Sequence, residues 1–313
     1  GDIDYLIKIA RPNIAIITAV GQTPVHVEFY ENVAQVAAEK AKLAKAVLEN
    51  GVVILNIDDE IVATMKDLYK GKVKTYGFKE GADLTISNFS TLYTNKYPVG
   101  IKFNLKTDDK NIDIELMGSV GKAQSYNATA AVAAGLTTGL SFEQSTKALS
   151  KHVGEKGRGR LIPGIKDSLI IDDSYNASPD STKNALEILK GSELKKIAVL
   201  GDMLELGNHS EDAHIKVGFL AGEVADILIA VGSQSKTTAK AAQNTRIKKE
   251  NIYTFENSVE AAGKLKELIE GGELILIKGS QSIRTEKIVK AIMKQPENAK
   301  DLLVRQYGKW LRS

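Results

Sequence analysis

Four polar side chains that could bind a ligand lie within one short stretch of the chain: Asp172, Asp173, Tyr175 and Asn176. The apolar run Ser168 to Ile171 before them predicts a buried strand, and Thr182 to Lys190 after them predicts a helix. In open α/β sheets, ligands bind outside the carboxyl ends of the strands. The four side chains therefore predict a binding loop, although Pro179 and Ser181 also suit a capped turn with no further role.

Three further loops follow predicted strands and are rich in small residues. Gly232 to Thr237 ends in Lys-Thr as a P-loop does, but Ser235 stands where a P-loop has glycine, so nucleotide binding is not predicted there. Gly201 to Gly207 lacks the spacing of a dinucleotide-binding turn. Lys278 to Ser282, followed by Arg284, offers backbone amides to an anion at a helix start. A plain helix start explains that segment equally well.

The histidines give one candidate. His26 follows a turn at the end of a predicted strand, with Glu28 two residues further on, which puts an imidazole on the ligand-binding side of the sheet. A lone histidine is more often structural than a ligand. His209 and His214 flank two carboxylates, but no partner spacing there matches a metal site.

The composition is that of a soluble globular protein. The chain has 313 residues, 43% hydrophobic and 26% charged, and this length suggests two domains. A net charge of +3 is too small to predict nucleic-acid binding, and no apolar run reaches the length of a membrane span. The lack of cysteine rules out disulfides, a thiolate nucleophile and cysteine-ligated zinc. It fits the reducing cytoplasm, where we expect the protein to be a monomer.

The first half predicts a parallel α/β unit with further strands at its edge. A strand at Asn13 to Val20, a helix at Glu31 to Leu48 and a strand at Val52 to Leu55 form the unit. Four short alternating segments then predict a β meander: Val73 to Tyr76, Asp83 to Phe89, Val99 to Leu105 and Ile112 to Met117. Two helices complete a first domain of residues 1–154: Ser125 to Gly135 and Ser141 to Lys151.

Residues 155–313 predict a doubly wound, Rossmann-like domain. Five strands alternate with helices: Ser168 to Ile171, Lys196 to Leu200, Ile227 to Val231, Ile252 to Phe255 and Leu274 to Ile277. A last helix is predicted at Glu297 to Tyr307. The segment Val153 to Gly159, rich in glycine and basic residues, predicts a linker, and we expect Val153 to Arg160 to act as a hinge.

Together these segments resemble the Mur ligases, which add amino acids to the peptidoglycan precursor and consume ATP. The order and spacing match in seven motifs: Ala10 to Thr18, His26 to Phe29, Ala38 to Lys40, Tyr126 to Ala131, Gly159 to Leu161, Asp172 to Pro179 and Leu200 to Gly207. The last two motifs most resemble the family members that join D-Ala-D-Ala to UDP-N-acetylmuramoyl-tripeptide.

The chain also departs from the family pattern. The turn Gly21 to Val25 is unlike the commoner Gly-x-x-His, and Lys122 to Ser125 stands where the family often has His-Asn. The family's P-loop, the catalytic Glu after it and the UDP-sugar domain would all precede Gly1. The resemblance thus implies a fragment that does not use ATP alone: part of the central domain, with parallel sheet and meander, and a complete Rossmann-like C-terminal domain.

The resemblance implies an ATP-dependent amide-bond ligase that activates a carboxylate as an acyl phosphate, which the amine of D-Ala-D-Ala then attacks. Mg²⁺ would balance the negative charge that accumulates during this transfer. His26 and Lys40 would be catalytic and would hold Mg²⁺, Lys40 as a carbamate, which requires a neutral amine and hence a lowered pKa. The plainer interpretation of Lys40 is a solvated lysine on a helix.

The resemblance also implies which residues contact the substrates. Asn127 would contact the adenine of ATP, and Arg160 would approach its phosphates as a catalytic residue. Three further residues would hold the nucleotide or set the closed geometry: Asp173, Tyr175 and Asn176. The candidates for the D-Ala-D-Ala site are Lys278, Ser280 and Arg284. We also expect His26 and the acidic cluster at Asp173 to face one shared cleft.

Two other functions stay open at this point. One is a non-catalytic α/β module that binds a nucleotide or a protein partner. The other is a related ligase of the folylpolyglutamate synthase kind, against which the segments Asp172 to Pro179 and Leu200 to Gly207 argue. The expected partners are UDP-N-acetylmuramoyl-tripeptide and D-Ala-D-Ala, with neither nucleic acid nor membrane.

Overall fold

The computed structural model describes residues 2–21, 30 and 32–311, and they form two compact units. The units are made of these segments: Gly1–Thr91, Ile101–Met117 and Lys122–His152 in the first, Leu92–Gly100, Gly118–Gly121 and Val153–Ser313 in the second. The predicted α/β class, with two sheets, is confirmed. The domain boundary between residues 154 and 155 stays a prediction.

The first unit contains six strands that neighbour one another in chain order. They are β1 (Ile14–Ile17), β2 (Val52–Asn56), β3 (Lys72–Gly77), β4 (Leu84–Thr94), β5 (Tyr97–Lys106) and β6 (Asn111–Met117). β1 and β2 pair in parallel, as predicted. β3, which the sequence analysis assigned to the β meander, instead pairs in parallel with both β2 and β4. β4 and β5 extend further than the sequence indicated, because Asn95 and Lys96 both have positive φ, the backbone of a tight two-residue hairpin turn.

Helices cover both faces of the parallel strands. The helices of this unit are α1 (Asp2–Ile9), α2 (Val33–Ala46), α3 (Glu60–Thr64), α4 (Lys122–Thr137) and α5 (Phe142–Leu149). β2 is buried at every residue, with Val53 and Leu55 packed on the α2 side and Ile54 on the α4 side. The helix predicted at Glu31 to Leu48 begins later, because the Asn32 side chain caps it by accepting from the Gln35 N–H at 3.1 Å.

The second unit contains a doubly wound sheet of six strands. They are β7 (Arg160–Pro163), β8 (Leu169–Asp173), β9 (Lys196–Gly201), β10 (Ile227–Val231), β11 (Ile252–Phe255) and β12 (Leu274–Lys278). Their spatial order is β11-β10-β9-β12-β8-β7, in which all neighbours are parallel except β7 and β8. The five predicted strands are present, and β7 is an additional strand that the sequence analysis did not predict.

The helices of the second unit lie on the two faces of this sheet. They are α6 (Pro179–Lys190), α7 (Ser210–Val224), α8 (Ser235–Ala242), α9 (Ser258–Leu268), α10 (Glu286–Ile292) and α11 (Ala299–Leu302). Leu186 and Val217 pack with one face of the sheet, and Leu265 and Ile288 with the other. Every residue of β10 and β12 is buried, which is the pattern of central parallel strands.

The helix predicted at Glu297 to Tyr307 is wrong. A 3₁₀ turn at Pro296–Asn298 leads into the four-residue α11, and a second 3₁₀ turn lies at Gly308–Leu311. Arg305 has a φ of 58°, which no α-helix accommodates, and its buried side chain bonds to other loops. These tertiary bonds replace the helical conformation that local propensity favours.

The predicted linker is held in a specific conformation. Gly157 and Gly159 have φ values of 68° and 69°, in the left-handed region that favours glycine. The Gly157 carbonyl also accepts from the Tyr175 N–H at 3.1 Å. Proline, with its φ fixed near −65°, would strain either position whether or not the segment is a hinge. The hinge stays a prediction.

No helix among the described residues is long and apolar enough to cross a membrane.

Candidate functional site

In the first unit, Lys40 points from α2 toward the loop that follows β1. Its Nζ donates a hydrogen bond to the Ala19 carbonyl at 2.7 Å, and burial lowers the pKa of its amine, partly opposed by the negative charge of Asp59. A lowered pKa increases the neutral fraction that carbamoylation requires. Its expected partner His26 lies outside the described residues, so the shared site stays a prediction.

Asp59 fixes the same loop from the end of β2. One carboxylate oxygen accepts from the N–H groups of Val20 and Gly21 at 2.7 and 2.9 Å, and the other caps α3 by accepting from Ile61 and Val62, both at 3.0 Å. Burial opposes ionisation, but these four donors outweigh it and lower the pKa of Asp59. The loop beside Lys40 is therefore anchored by a negative charge that backbone donors stabilise.

Asp58, the preceding residue, organises the end of β3 and the start of α4. Its two oxygens accept from the N–H groups of Phe78 and Lys79 at 2.7 and 2.8 Å, and the hydroxyl of Tyr126 donates to it at 2.7 Å. Burial and this hydrogen bond raise the pKa of Tyr126. Asn127, the predicted adenine contact, is the next residue on α4 and is exposed. The sequence analysis did not identify Asp58 as a site residue.

In the second unit, the ends of neighbouring parallel strands bring together three predicted site residues. Lys278 of β12 stands opposite Asp173 of β8 in the sheet register. Its Nζ contacts an Asp173 carboxylate oxygen at 2.6 Å and donates to the Asn176 carbonyl at 3.0 Å. The Lys278 side chain is 2% exposed and that of Asp173 is 18% exposed, so this is a buried ion pair.

Asp172 faces the opposite side of β8 and is completely buried. One of its oxygens accepts from the Ser174 N–H at 3.2 Å, whereas the other has no hydrogen-bond partner among the residues that the structure describes. Burial raises the pKa of this carboxyl group to about 6. The Asp-Asp pair in the sequence thus contains two chemically different groups, of which Asp173 forms an ion pair with Lys278.

Tyr175 is 44% exposed and projects from the same loop. The guanidinium of Arg158 stacks 4.0 Å from the centre of its ring. Both residues line a cavity of about 620 Å³ whose wall also includes Arg305 and Trp310. The sequence analysis identified Tyr175 but missed the two arginines, because the segments that carry them are distant in the chain. Arg160 lies opposite Asp172 in the β7–β8 pair and is partly exposed.

Ser280 connects the end of β12 to the loop after β9. Its hydroxyl accepts from the Leu204 N–H at 2.9 Å, and its own N–H donates to the Asp202 carbonyl at 2.9 Å. His214 supports the same loop by accepting from the Met203 N–H at 3.1 Å. Burial lowers the pKa of His214, which keeps its imidazole neutral and able to accept that bond.

Arg284, the third predicted substrate contact, is turned toward the protein interior. Its Nε contacts Glu286 at 2.5 Å, and its Nη2 donates to the Trp310 carbonyl at 2.7 Å. Its predicted contact with substrate stays a prediction. Across residues 2–21, 30 and 32–311, no group of three or more histidine or carboxylate residues is placed to hold a metal ion.

Comparisons with known proteins identify both units. The family model of the Mur ligase middle domain matches residues 1–135, and that of the Mur ligase glutamate ligase domain matches residues 157–281. The UDP-N-acetylmuramoyl-tripeptide–D-alanyl-D-alanine ligase of Bacillus subtilis is 30% identical over 299 residues, covering 95% of this chain and 62% of that protein. The enzyme of the same name from Escherichia coli is 28% identical over 93% of this chain and 62% of its own length.

Solved structures agree with these matches. MurF from Acinetobacter baumannii superposes with a TM-score of 0.79 and 29% identity, covering 92% of this chain and 61% of that one. MurF from Thermotoga maritima in complex with ADP also gives 0.79, with 25% identity over 95% of this chain and 65% of its own. The chain spans about three fifths of the length of the curated relatives it matches. With both domain types matched in order, the chain belongs to the Mur ligase family.

Proposed function

We propose that the protein containing this chain joins D-Ala-D-Ala to UDP-N-acetylmuramoyl-tripeptide with consumption of ATP, and that it does so in the cytoplasm. The observation that carries this proposal is the Asp173–Lys278 pair at the carboxyl edge of the second sheet. It lies in the loop that most resembles this ligase type, and it occupies the edge where α/β sheets bind ligands. The relatives matched over most of this chain carry that name.

The reaction needs an activated acid, because an ionised carboxylate is a poor electrophile. Transfer of the γ-phosphoryl group of ATP to the tripeptide carboxylate gives an acyl phosphate and ADP. The free amine of D-Ala-D-Ala then attacks the carbonyl carbon, the amide bond forms, phosphate leaves and the amine loses a proton. Cationic and hydrogen-bonding groups are needed where negative charge develops on the carbonyl oxygen.

Mg²⁺, when bound, would supply the charge that balances the transferring phosphoryl group. We propose that Lys40 holds it together with His26. Reaction of the neutral Lys40 amine with CO₂ forms an N–C bond, releases a proton and leaves a carboxylate-like group. The lowered pKa of Lys40 fits this reaction, and Asp59 keeps the neighbouring loop in place.

We propose the remaining roles from the resemblance, and the positions of the side chains support them. Exposed Asn127 would contact adenine, and Arg160 would approach the phosphates. The exposed ring of Tyr175 would pack against the nucleotide, with Asp173 and Asn176 keeping its loop in position. Lys278 and Ser280 would shape the site for D-Ala-D-Ala. Lys278 binds Asp173 at the end of β8, and Ser280 binds Leu204 in the loop after β9.

The test is turnover by the full-length protein. Phosphate release that requires both UDP-N-acetylmuramoyl-tripeptide and D-Ala-D-Ala, with a product of the pentapeptide mass, supports the proposal. Release with a folate and glutamate instead would indicate the folylpolyglutamate synthase kind of ligase, and ADP binding without turnover would indicate a binding module. Lys40→Gln should lower activity roughly 10- to 100-fold. Lys42→Gln, which removes a surface ion pair on the same helix, is the matched control and should not.

A further inference from the structure

Glu286 is completely buried at the first turn of α10 and holds two arginines. Its carboxylate contacts the Nε of Arg284 at 2.5 Å and the Nη1 of Arg305 at 3.1 Å. Both arginines are themselves nearly buried. The centres of their guanidinium groups lie 5.2 and 5.8 Å from the ring of Trp310, within the range of a cation–π interaction. We refer to Arg284, Glu286, Arg305 and Trp310 as the Glu286 network.

The network reaches the candidate site through two backbone carbonyls. Arg305 donates from Nη1 to the Ser174 carbonyl at 3.1 Å and from Nη2 to the Tyr175 carbonyl. Those two residues separate Asp173 from Asn176, which both bond to Lys278. Arg305 therefore fixes the two peptide units between the contacts of the buried ion pair.

Stability alone does not explain such a network. Burying ions costs hydration, and replacing a buried ion pair by apolar side chains of similar volume is often neutral or stabilising. Arg284 and Arg305 also have φ values of 63° and 58°. Left-handed backbone in residues other than glycine is unfavourable, and such conformations cluster at functional sites. An apolar replacement could fill the space but could not donate to two successive carbonyls.

We propose that Arg305 is a positioning residue of the ligase site, which acts by holding the carbonyls of Ser174 and Tyr175 so that Asp173 and Tyr175 face their ligands. This inference rests on the proposed function and deepens it. Holding two carbonyls and a carboxylate at once requires the planar set of N–H donors of a guanidinium. A lysine ammonium cannot donate to both carbonyls and Glu286 in the same geometry.

The chain offers a matched control in the same unit. Arg246 also donates to two successive carbonyls, those of Glu223 and Val224, with Nη2 at 2.9 Å from the latter. These residues lie just before β10, at the opposite edge of the sheet from the candidate site. Arg246→Met removes the same kind of contact without reaching Asp173 or Tyr175.

The experiment compares Arg305→Lys, Arg305→Met and Arg246→Met in the full-length protein. We measure kcat, the KM values for ATP and D-Ala-D-Ala, the thermal midpoint, and hydrogen exchange of the peptide covering residues 172–178. Arg305→Lys keeps a charge beside Glu286 and should fold. It should lower kcat or raise a KM by roughly 10- to 100-fold, with faster exchange in that peptide. Arg246→Met should lower the thermal midpoint at unchanged kcat and KM.

Two results would overturn the inference: unchanged kinetics in Arg305→Lys despite faster exchange, or kinetic losses in the Arg305 and Arg246 variants that both follow the fall in thermal midpoint. If the wild-type protein shows no turnover, the proposed function has failed. The same comparison is then made with the dissociation constant for ADP, measured by isothermal titration calorimetry. Equal ADP affinity in wild type and Arg305→Lys would then refute the role of Arg305.

Discussion

Four carboxylates at the carboxyl edges of the two sheets are held by different means. In the first unit, Asp58 and Asp59 are surrounded by backbone N–H groups and one tyrosine hydroxyl. In the second, Asp173 and Glu286 are held by side-chain cations, while burial raises the pKa of Asp172. Backbone N–H donors are present wherever the chain forms a turn or a helix start, whereas the cations come from side chains in other parts of the sequence.

This difference has energetic consequences. When a carboxylate held by backbone donors is replaced, the protein loses a few hydrogen bonds, and water can bind some of the N–H groups that are left without an acceptor. A carboxylate paired with a buried cation leaves an uncompensated charge when its partner is removed. The second edge should therefore be the more sensitive of the two to single substitutions and the more tolerant of paired ones.

The largest effect is expected from Lys278→Met, which leaves Asp173 buried without its cation and removes the donor to Asn176. We expect a loss of about 3–5 kcal/mol in the free energy of unfolding, measured by urea denaturation. The double variant Asp173→Leu with Lys278→Met should recover most of it. Lys102→Met, which removes a surface pair with Asp113 at 3.0 Å, is the control and should cost less than about 1 kcal/mol. Similar losses in Lys278→Met and Lys102→Met would contradict the comparison.

The second largest effect concerns Asp172, whose contribution to the free energy of unfolding should depend on pH. Its pKa is raised from 3.8 to about 6 in the folded protein, so the folded state binds the proton more tightly than the unfolded chain does. This contribution to stability is complete below pH 3.8 and is lost as the pH rises through 6. Since one pKa unit corresponds to about 1.4 kcal/mol, the loss is at most about 3 kcal/mol.

Asp172→Asn removes this titration. We expect its stability relative to wild type to improve steadily between pH 4 and pH 7, measured as the difference in unfolding free energy from urea curves. The new amide N–H₂ lacks a partner and lowers stability at every pH, so the pH dependence is the diagnostic quantity rather than the sign. Asp109→Asn, in the exposed turn between β5 and β6, serves as the control. A difference that is flat with pH would show that Asp172 is ionised in the fold.

The same comparison explains what the sequence could and could not predict. The parallel strands were predictable because covered strands read as apolar runs, and the Asp173 loop because it follows such a run. The resemblance to the Mur ligases located the remaining candidates. The pairing of Asp173 with Lys278 was not predictable, since it depends on β12 lying next to β8, a neighbour relation between strands about a hundred residues apart.

The Glu286 network shows the limit most clearly. The segment Glu297 to Tyr307 has the composition of a helix, whereas the buried contacts of Arg305 favour the non-helical backbone that the structure shows. The sequence analysis likewise predicted that Arg284 contacts a ligand, because nothing local indicates that its guanidinium binds Glu286 and the Trp310 carbonyl instead. Local patterns specify elements, whereas the orientation of a long charged side chain depends on which loops meet around it.

The smallest effect should come from Asp59→Ala in the first unit. The substitution removes the acceptor of four backbone N–H groups, two in α3 and two in the loop after β1. We expect a cost of about 1–2 kcal/mol, the usual value of a helix cap, because part of the loop is close to solvent. Asp59→Asn retains an acceptor and should cost less, and Glu60→Ala, at an exposed neighbour, should cost almost nothing. If Asp59→Ala instead cost as much as Lys278→Met in the same urea experiment, backbone donors and side-chain cations would be equally demanding at the two edges, and the distinction between them would not hold.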